Sequence, residues 1–388
     1  MQMQGKSFRR AVGGMLLVVF CLMRSGAMAA EDSGYKAAIL LEAQTGQVLF
    51  EDNAHGKVIP ASLVKMMVML IVLEQIDAGR LSLTDMVTTS TWASKIGGSQ
   101  VFLSEGEQFP LGELLKAIAM HSANDAATAV AEHVAGSTDA FVEMMNARAK
   151  ELGLNDTTFV NVHGLPPAKG QKENYTSAYD MATLGRELLK HPKVLEWTGA
   201  VEDTFRDGKF VLTNTNRDLI LKYPGVDGLK TGFHSGAGFN VCATVQRDDV
   251  RLIAVVMGSN DKADRYKGVV ALFNKGFTQF EKVQVLRKGF TVGDPLIISK
   301  GKDRTATLVA SNNVTLLIPK GKKDAIRQEV NIPIPRIPAP VAKGVRFGEV
   351  VIYLDDQEIT RVDLVTDRDI ERGNIFDQMK WWVVNKIS

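Results

Sequence analysis

A serine and a lysine three positions apart, Ser62 and Lys65, could act as a nucleophile and its base. Residues with this spacing are neighbours on a helix, with about 5–6 Å between their Cβ atoms, so the lysine amine can reach the serine hydroxyl. The hydroxyl needs a base because serine is a weak nucleophile at neutral pH. Lysine can serve only where burial, a nearby positive charge or the positive end of a helix dipole lowers its pKa. The pair therefore indicates nucleophilic catalysis if its helix is buried.

The S-x-x-K spacing alone is not specific, because it also begins at Ser33, Ser259 and Ser299. Only Ser62 follows a Pro-Ala pair at the start of a predicted helix, residues 62–77. This stretch is apolar on nearly all sides, which is typical of a helix buried in the middle of a domain. The context therefore selects Ser62 as the candidate nucleophile.

Two further short motifs follow in the chain. Ser122-Ala123-Asn124 lies 60 residues after Ser62, just before a predicted helix. Lys230-Thr231-Gly232 occurs once and precedes an apolar strand. A second S-x-N, at Ser311, is predicted to be a turn. The three motifs in this order are typical of an S-x-x-K acyl-transfer site, whereas any one of them alone is more often structural.

The elements that must position these motifs mix helices with strands. Residues 36–41 and 47–50 flank a Thr-Gly turn and are predicted to form a hairpin. Further helices are predicted near residues 111–119, 124–135, 138–152, 178–190 and 264–281. Further strands are predicted near residues 209–213, 238–246 and 251–257. Helices inserted within a sheet of hairpin-linked strands indicate an α+β domain.

The pattern changes after about Val283. Short stretches of alternating apolar and polar residues then recur between turn signals up to about residue 365. This is typical of a small β-sandwich. Four prolines fall within residues 333–340, so that segment is predicted to be an edge strand or an extended loop.

The first 29 residues have the layout of a secretory signal peptide. They contain four basic and no acidic residues, an apolar run over residues 11–23 and a final Ala-Met-Ala. The run of 13 residues is too short to span a bilayer, which needs about 20. Without this segment the chain has 42 basic and 44 acidic residues, a net charge of −2 instead of +2.

The last segment, residues 374–388, is predicted to be an amphipathic helix. Six of its apolar residues share an arc of roughly 140°: Ile375, Phe376, Met379, Trp382, Val383 and Ile387. This layout fits a helix that lies in a membrane interface, where Trp is enriched. The alternative is a terminal helix docked on the β region.

Composition and charge exclude several classes of protein. The near-neutral balance argues against a nucleic-acid binder. The 45% of hydrophobic residues argues against disorder. Once residues 1–29 are removed, Cys242 is the single cysteine and is predicted to be buried in a strand. The six histidines are not spaced as metal pairs, which disfavours a zinc carboxypeptidase and predicts no metal or other cofactor.

Over essentially its whole length the chain resembles the D-alanyl-D-alanine carboxypeptidases, the low-molecular-mass penicillin-binding proteins. The segments that carry the resemblance are Gly46–Glu51, Pro60–Met67, His121–Ala127, Asn161–Leu165 and Asp227–Gly232. The resemblance implies a serine transpeptidase/β-lactamase-like domain, in which helices flank an antiparallel sheet. It also implies the subtype with a second, all-β domain and a membrane anchor.

The resemblance implies roles for the first two motifs. Ser62 would be the acylated nucleophile and Lys65 its base. Ser122 would relay protons with Lys65 and reach the leaving amine. Asn124 would hold the substrate amide. Each of these residues is expected to have the role that the family has at the matching position of its motif.

The third motif would receive the peptide. Lys230, Thr231 and Gly232 would line the strand along which the substrate lies. The backbone amides of Ser62 and Phe233 would form the oxyanion hole, aimed at charge that develops in the transition state.

Two arginines and two histidines complete the expectations. Arg217 and Arg265 match arginines that gather at the substrate's terminal carboxylate, for which a guanidinium fork is well suited. His234 stands where relatives often carry a hydroxyl residue, so its side chain is expected to make different contacts from theirs. His163 is expected to pack or to form hydrogen bonds rather than to react.

The function expected from this resemblance is a serine-type carboxypeptidase that removes the terminal D-alanine of peptidoglycan pentapeptides and is inhibited by β-lactams, in cell-wall maturation and cell shape. The alternatives are a β-lactamase, a DD-endopeptidase, or a non-catalytic protein that binds the wall or senses β-lactams. The intact motifs disfavour the sensor.

The expected organisation is a signal peptide (1–29), a catalytic domain (30–282), a β-sandwich domain (283–373) and an anchoring helix (374–388). The signal places the enzyme outside the cytoplasm, at the periplasmic face of the bacterial inner membrane. The expected partners are peptidoglycan stem peptides, β-lactams and the inner-membrane surface, but no nucleic acid. The β domain could also contact a second copy of the chain or other wall-synthesis proteins.

Overall fold

The computed structural model describes residues 34–334, 336–377 and 379. The predicted signal peptide, residues 1–29, lies outside the described residues, as does most of the predicted terminal helix, 374–388. No helix within the described parts of the chain is long and apolar enough to cross a bilayer.

The part of the described chain that ends at residue 279 contains both helices and strands. Its helices are α1 (Lys65–Asp77), α2 (Thr91–Lys95), α3 (Leu111–His121), α4 (Asn124–Ala135), α5 (Thr138–Glu151), α6 (Ala178–Leu188), α7 (Lys193–Thr198), α8 (Arg217–Lys222) and α9 (Lys262–Gln279). Its strands are β1 (Ala37–Glu42), β2 (Val48–Asp52), β3 (Met86–Thr88), β4 (Gln108–Pro110), β5 (Glu202–Phe205), β6 (Phe210–Thr213), β7 (Val226–His234), β8 (Gly238–Arg247) and β9 (Val250–Ser259). The longer helices predicted from periodicity are present. The short helices α2, α7 and α8 were not predicted, because one or two turns carry too little periodic signal.

An antiparallel sheet with strand order β2-β1-β9-β8-β7 lies between two apolar cores. Side chains of a strand point alternately to its two faces. In β1, Ile39 and Leu41 pack in the core that contains α1, whereas Ala38 and Leu40 pack in the core that contains α9. β7 is an edge strand, so one side of its backbone is available to pair with an extended peptide.

The helix α1 is buried from Lys65 to Leu73, as its all-round apolar sequence predicts. It begins in a short 3₁₀ helix, Ala61–Val64, which carries Ser62. Ser62, the candidate nucleophile, therefore lies at the edge of the buried core. The lysine one turn later lies inside the core, where its charge is costly.

Between α9 and residue 366, the described residues form strands and one short 3₁₀ turn. They are β10 (Phe280–Leu286), β11 (Leu296–Ser299), β12 (Thr305–Ala306), β13 (Leu308–Ala310), β14 (Val314–Pro319), β15 (Ile326–Asn331), β16 (Arg336–Pro338), β17 (Arg346–Leu354) and β18 (Gln357–Thr366). They form sheets of order β10-β14, β12-β11-β16 and β13-β18-β17-β15 around an apolar core of their own. The predicted proline-rich edge is confirmed in β16, an edge strand of three residues.

Candidate active site

Lys65 lies within hydrogen-bond distance of three oxygens. Its Nζ donates to Asn124 Oδ1 at 2.7 Å and to the carbonyl oxygen of His163 at 2.6 Å, and it lies 3.1 Å from Ser62 Oγ, whose hydroxyl can donate to the neutral amine. Burial, and secondly the charge of Lys230, hold the pKa of Lys65 well below its ordinary value, although Asp125 acts in the opposite direction. A buried amine with a lowered pKa in contact with a hydroxyl is the arrangement that lysine needs in order to act as a base.

Ser62 is held at the entrance of the core by a close approach of two loops. Its Oγ lies 3.5 Å from the carbonyl oxygen of His163. A Cβ on Gly164 would stand 2.1 Å from the carbonyl oxygen of Ala61, so only glycine allows this approach. Ala61 itself has a positive φ of 47°, which an alanine rarely adopts. The backbone around the nucleophile is thus constrained from both sides.

Ser122 and Asn124 lie in the junction between α3 and α4. Ser122 has a left-handed backbone (φ 62°) at the end of α3, and its buried Oγ has no hydrogen-bond partner among the described residues. It faces the same cavity as Ser62 and is therefore available to a ligand. Asn124 donates from Nδ2 to the carbonyl oxygen of Gly97 at 2.7 Å, which turns its Oδ1 towards Lys65.

The third motif lies on β7 beside these groups. Lys230 is buried, and its Nζ donates to the carbonyl oxygen of Thr231 at 2.9 Å. Burial, and secondly the charge of Arg265, lower the pKa of Lys230 to about 7. Thr231 Oγ1 lies 2.8 Å from Thr215 Oγ1. A Cβ on Gly232 would stand 3.0 Å from the backbone nitrogen of Ser62, so the glycine lets the two predicted halves of the oxyanion hole approach.

Phe233 and His234 end β7. The side chain of Phe233 is exposed and stacks on Phe239, with 4.1 Å between the ring centroids. His234 Nδ1 accepts hydrogen bonds from the backbone nitrogens of Gly236 and Ala237, at 3.2 and 3.3 Å. Its ring therefore stabilises the β7–β8 turn, a contact that a Thr or Ser hydroxyl would make differently.

The structure separates the two candidate arginines. Arg265 lines the cavity of about 630 Å³ that also contains Ser62, Ser122 and Thr231. Burial lowers its pKa, and within the described residues its guanidinium forms no ion pair. Arg217 instead forms an exposed ion pair with Glu202 at 2.6 Å and does not line the cavity. The expected placement of Arg217 beside the carboxylate site is therefore not found, because α8 turns its side chain towards β5.

The ring of His163 forms a hydrogen bond and Cys242 is buried in a strand, the contacts that the sequence predicts for them. His163 Nδ1 accepts a hydrogen bond from the backbone nitrogen of Leu165 at 3.1 Å. Burial, and secondly the charge of Lys65, lower the pKa of His163 to about 4, so its ring is neutral at physiological pH. Cys242 is buried on β8, and burial raises the pKa of its thiol.

Sequence reasoning missed three groups that support the site. Asp125 is fully buried, and its carboxylate accepts hydrogen bonds from the backbone nitrogens of Val101 and Leu103. Ser99 and Thr215 line the cavity from loops that show no motif. The sequence could have indicated Asp125, because a carboxylate in the first turn of the buried helix α4 requires hydrogen-bond partners. No local signal marks Ser99 or Thr215.

Comparisons with known proteins agree with this arrangement. The sequence profile of the D-alanyl-D-alanine carboxypeptidase family matches residues 25–261, and that of the C-terminal domain of penicillin-binding protein 5 matches residues 280–372. The carboxypeptidase DacF of Bacillus subtilis is 37% identical over 89% of this chain and 88% of its own. DacC of Escherichia coli is 35% identical over 90% of this chain and 88% of its own.

Solved structures show the same fold. Penicillin-binding protein 5 from Haemophilus influenzae superposes with a TM-score of 0.74 and 31% identity, covering 87% of this chain and 98% of that one. Penicillin-binding protein D2 from Listeria monocytogenes, in its ampicillin-bound form, has a TM-score of 0.58 and 31% identity, covering 63% and 98%. With the motifs assembled around one cavity, the chain belongs to the D-alanyl-D-alanine carboxypeptidase family and is a serine peptidase of the cell wall.

Proposed function

We propose that this carboxypeptidase releases the terminal D-alanine of peptidoglycan pentapeptides through an acyl-enzyme on Ser62. One observation carries the assignment: the buried Nζ of Lys65, whose pKa is lowered, lies 3.1 Å from Ser62 Oγ. A serine with such a base can attack an amide carbonyl at neutral pH.

In the acylation step, Ser62 Oγ attacks the carbonyl carbon of the penultimate D-alanine, and its proton passes to Lys65 Nζ. The oxyanion is stabilised by the backbone amides of Ser62 and Phe233. The proton then reaches the leaving amine through Ser122, whose hydroxyl has no other partner among the described residues. The C–N bond breaks, D-alanine leaves, and an ester to Ser62 remains.

In the deacylation step, water attacks the ester carbonyl while Lys65 accepts a proton from the water. The bond to Ser62 breaks, Ser62 Oγ regains a proton, and the tetrapeptide leaves. Lys65 thus performs the same proton transfer in both halves of the reaction. The arrangement requires a neutral Lys65 at the start of each half.

Recognition of the substrate falls to the rest of the cavity. Arg265 and Thr231 bind the terminal carboxylate, since Arg265 is a cation that lines the cavity and forms no ion pair within the described residues. Asn124 holds the peptide amide, and Lys230 and Gly232 line β7. β-Lactams acylate Ser62 in the same way, in line with the ampicillin-bound form of the relative from Listeria monocytogenes.

The proposed location is the periplasmic face of the inner membrane. Residues 1–29 act as a signal peptide and residues 374–388 as an interfacial anchor. The support comes from the sequence pattern of both ends and from a family that works on the cell wall. The proposed boundary between the catalytic and β domains, at residues 282–283, falls within β10, so the strand Phe280–Leu286 as a whole is better counted with the β domain.

Replacement of the nucleophile tests the proposal. Ser62→Ala should abolish both D-alanine release from a pentapeptide and covalent labelling by a fluorescent penicillin. Ser299→Ala removes another S-x-x-K serine, in the β region, and should keep both activities. Release of D-alanine by Ser62→Ala would refute the acyl-enzyme assignment. Labelling of the unmodified chain without release of D-alanine would favour the β-lactam sensor instead.

A further inference from the structure

Phe102 has an unusual combination of backbone and exposure. Its φ is +58°, in the left-handed region that glycine, asparagine and aspartate favour and bulky residues avoid. Its side chain is nevertheless 66% exposed, so the burial of the ring does not offset the strain of the backbone. Such outliers persist only where their surroundings hold them, and they cluster at functional sites.

Two charged side chains hold this backbone from opposite sides. The buried carboxylate of Asp125 accepts from the nitrogens of Val101 and Leu103, which flank Phe102, at 3.1 and 3.0 Å. Arg206 Nη2 donates to the carbonyl oxygen of Phe102 at 2.7 Å and is itself paired with Glu107. Hydrogen bonds that involve a charged group are roughly twice as strong as neutral ones. The conformation is therefore imposed on Phe102 by its neighbours.

The segment that presents Phe102, residues 96–104, is here called the groove loop. It is tied to the active site at Asn124, whose backbone nitrogen donates to the carbonyl oxygen of Ser99 at 2.7 Å. Ser99 itself lines the catalytic cavity. The ring of Phe102 lies 6.3 Å from that of Phe210, centroid to centroid, and leaves most of its surface free. The exposed ring of Phe102 thus lies three residues along the chain from Ser99, which lines the cavity.

We propose that Phe102 is a specificity-determining residue, whose exposed ring packs against the aliphatic part of the stem peptide that precedes the terminal D-Ala–D-Ala. The groove loop flanks Asn124, which holds the amide on that side of the scissile bond, so the preceding residues pass beside it. An exposed aromatic ring supplies apolar contact area at low cost in conformational entropy. The inference rests on the proposed function of Ser62 and Asn124.

Kinetics with two substrates test the contact. Phe102→Ala should raise KM for a free pentapeptide about 10-fold, as expected for the loss of an apolar contact, and should change kcat less than twofold. An N-acyl-D-Ala-D-Ala dipeptide should be cleaved equally by both proteins, because it lacks the preceding residues. Phe102→Tyr should keep the low KM. Phe290→Ala, at a phenylalanine of the β region that is 62% exposed, should change neither constant.

The proposal is wrong if Phe102→Ala affects both substrates equally or lowers kcat alone. It is also wrong if only glycan-linked muropeptides respond, because the ring would then contact sugar. Unchanged kinetics, with normal penicillin labelling of Ser62, would overturn the role of Phe102 and leave the acyl-enzyme assignment intact. An unmodified chain that fails to be labelled would instead overturn that assignment.

A glycine at this position separates a binding role from a structural one. Glycine adopts a positive φ without strain, so Phe102→Gly should keep the Tm or raise it by about 2–4 °C. Its KM for the pentapeptide should still rise as in Phe102→Ala. A Tm several degrees lower would mean that the ring stabilises the fold through Phe210, and would refute the proposal.

Discussion

Two lysines buried beside each other govern the electrostatics of the site. Lys65 contacts the nucleophile. The pKa of Lys65 is lowered first by burial and secondly by the charge of Lys230. Arg265 in turn helps to lower the pKa of Lys230 to about 7. Three basic side chains are therefore held close together, which costs stability but keeps Lys65 neutral enough to accept a proton.

The lowered pKa of Lys230 predicts a stability that depends on pH. Between about pH 7 and 10 the unfolded chain binds a proton at this lysine that the folded chain does not bind, so the free energy of unfolding rises with pH. The slope for one such group is at most about 1.4 kcal/mol per pH unit. Lys230→Met removes this contribution. Urea unfolding at pH 7, 8 and 9 should therefore show that the variant's stability advantage shrinks as the pH rises.

Lys267→Met is the matched control for this measurement, because Lys267 is an exposed lysine at the rim of the cavity. Its stability should follow that of the unmodified chain at each pH. Parallel curves for Lys230→Met and the unmodified chain would contradict a lowered pKa at Lys230.

The different surroundings of the two arginines predict different effects on binding. Arg265→Gln removes a cation that lines the cavity and should raise KM for D-Ala-D-Ala peptides about 10- to 100-fold. This corresponds to the roughly 1.5–3 kcal/mol of a charged hydrogen bond. Arg217→Gln should leave KM within twofold, because its partner is the exposed Glu202. Steady-state release of D-alanine measures both, and equal losses would contradict the assignment of the carboxylate to Arg265.

At the scale of elements, the site depends on one loop that is packed against the start of the catalytic helix. The side chain of Asn161 accepts from the nitrogen of Gly164 at 2.7 Å and shapes the loop. Gly164, with φ 77°, then lies against Ala61. The same loop supplies the carbonyl oxygen of His163 to Lys65. Movement of this loop would therefore displace both the nucleophile and its base.

Two glycines of adjoining chain segments predict how much that packing matters. Gly164→Ala should destabilise the fold by about 2–4 kcal/mol, through overpacking and a strained φ. It should also slow penicillin acylation of Ser62 at least about 10-fold, because a misplaced group costs rate steeply. Gly170→Ala has the same strain, with φ 86°, but no atom within 4 Å of the new Cβ.

Gly170→Ala should therefore cost about 1 kcal/mol and leave acylation unchanged. Urea unfolding and the rate of penicillin labelling compare the two variants. A normal acylation rate in Gly164→Ala would show that the packing of Gly164 on Ala61 does not position Ser62.

At the scale of the whole molecule, the β region is attached to the catalytic region by continuous structure. β10 begins directly after α9, and Leu317 of β14 packs in the core that contains α9. An ion pair joins Lys282 to Asp249 across the junction. These contacts restrict the orientation of the β region relative to the sheet that carries the active site.

Residues 374–377 and 379 are the described part of the terminal segment. Asn374 and Asp377 exchange backbone-to-side-chain hydrogen bonds of 2.9 Å, as in a capping box, and Ile375, Phe376 and Met379 are exposed. An exposed apolar stripe behind a helix cap is what an interfacial helix requires. The described part of the segment thus supports the proposed anchor.

A chain that ends at Gly373 tests the anchor. It should release D-alanine at the rate of the full chain, because the cavity lies wholly in residues 62–269. It should fail to sediment with vesicles of phosphatidylethanolamine and phosphatidylglycerol, whereas the chain that includes residues 374–388 should bind them. Equal sedimentation of both chains would contradict a membrane role for this segment.

Local sequence patterns were enough to predict the class of chemistry and most of the secondary structure. Ser62 and Lys65 lie within one helical turn, a relation that local spacing settles. The burial of α1 follows from its all-round apolar composition. The β region follows from its alternating pattern. These properties depend on residues that are close in the chain, so they can be predicted without knowledge of the tertiary structure.

The surroundings of Lys65, and the choice of the arginine that reaches the cavity, depend on how the elements pack and could not be predicted from local patterns. His163 and Asn124 meet Lys65 from 98 and 59 residues away. Arg265 and Arg217 look alike as sequence, but α9 directs one to the cavity and α8 directs the other to Glu202. The hydrogen bonds of Asp125 and Arg206 to the backbone around Phe102 could not be predicted from the sequence either. Long-range contacts arise from the packing of whole elements, and no spacing along the chain specifies that packing.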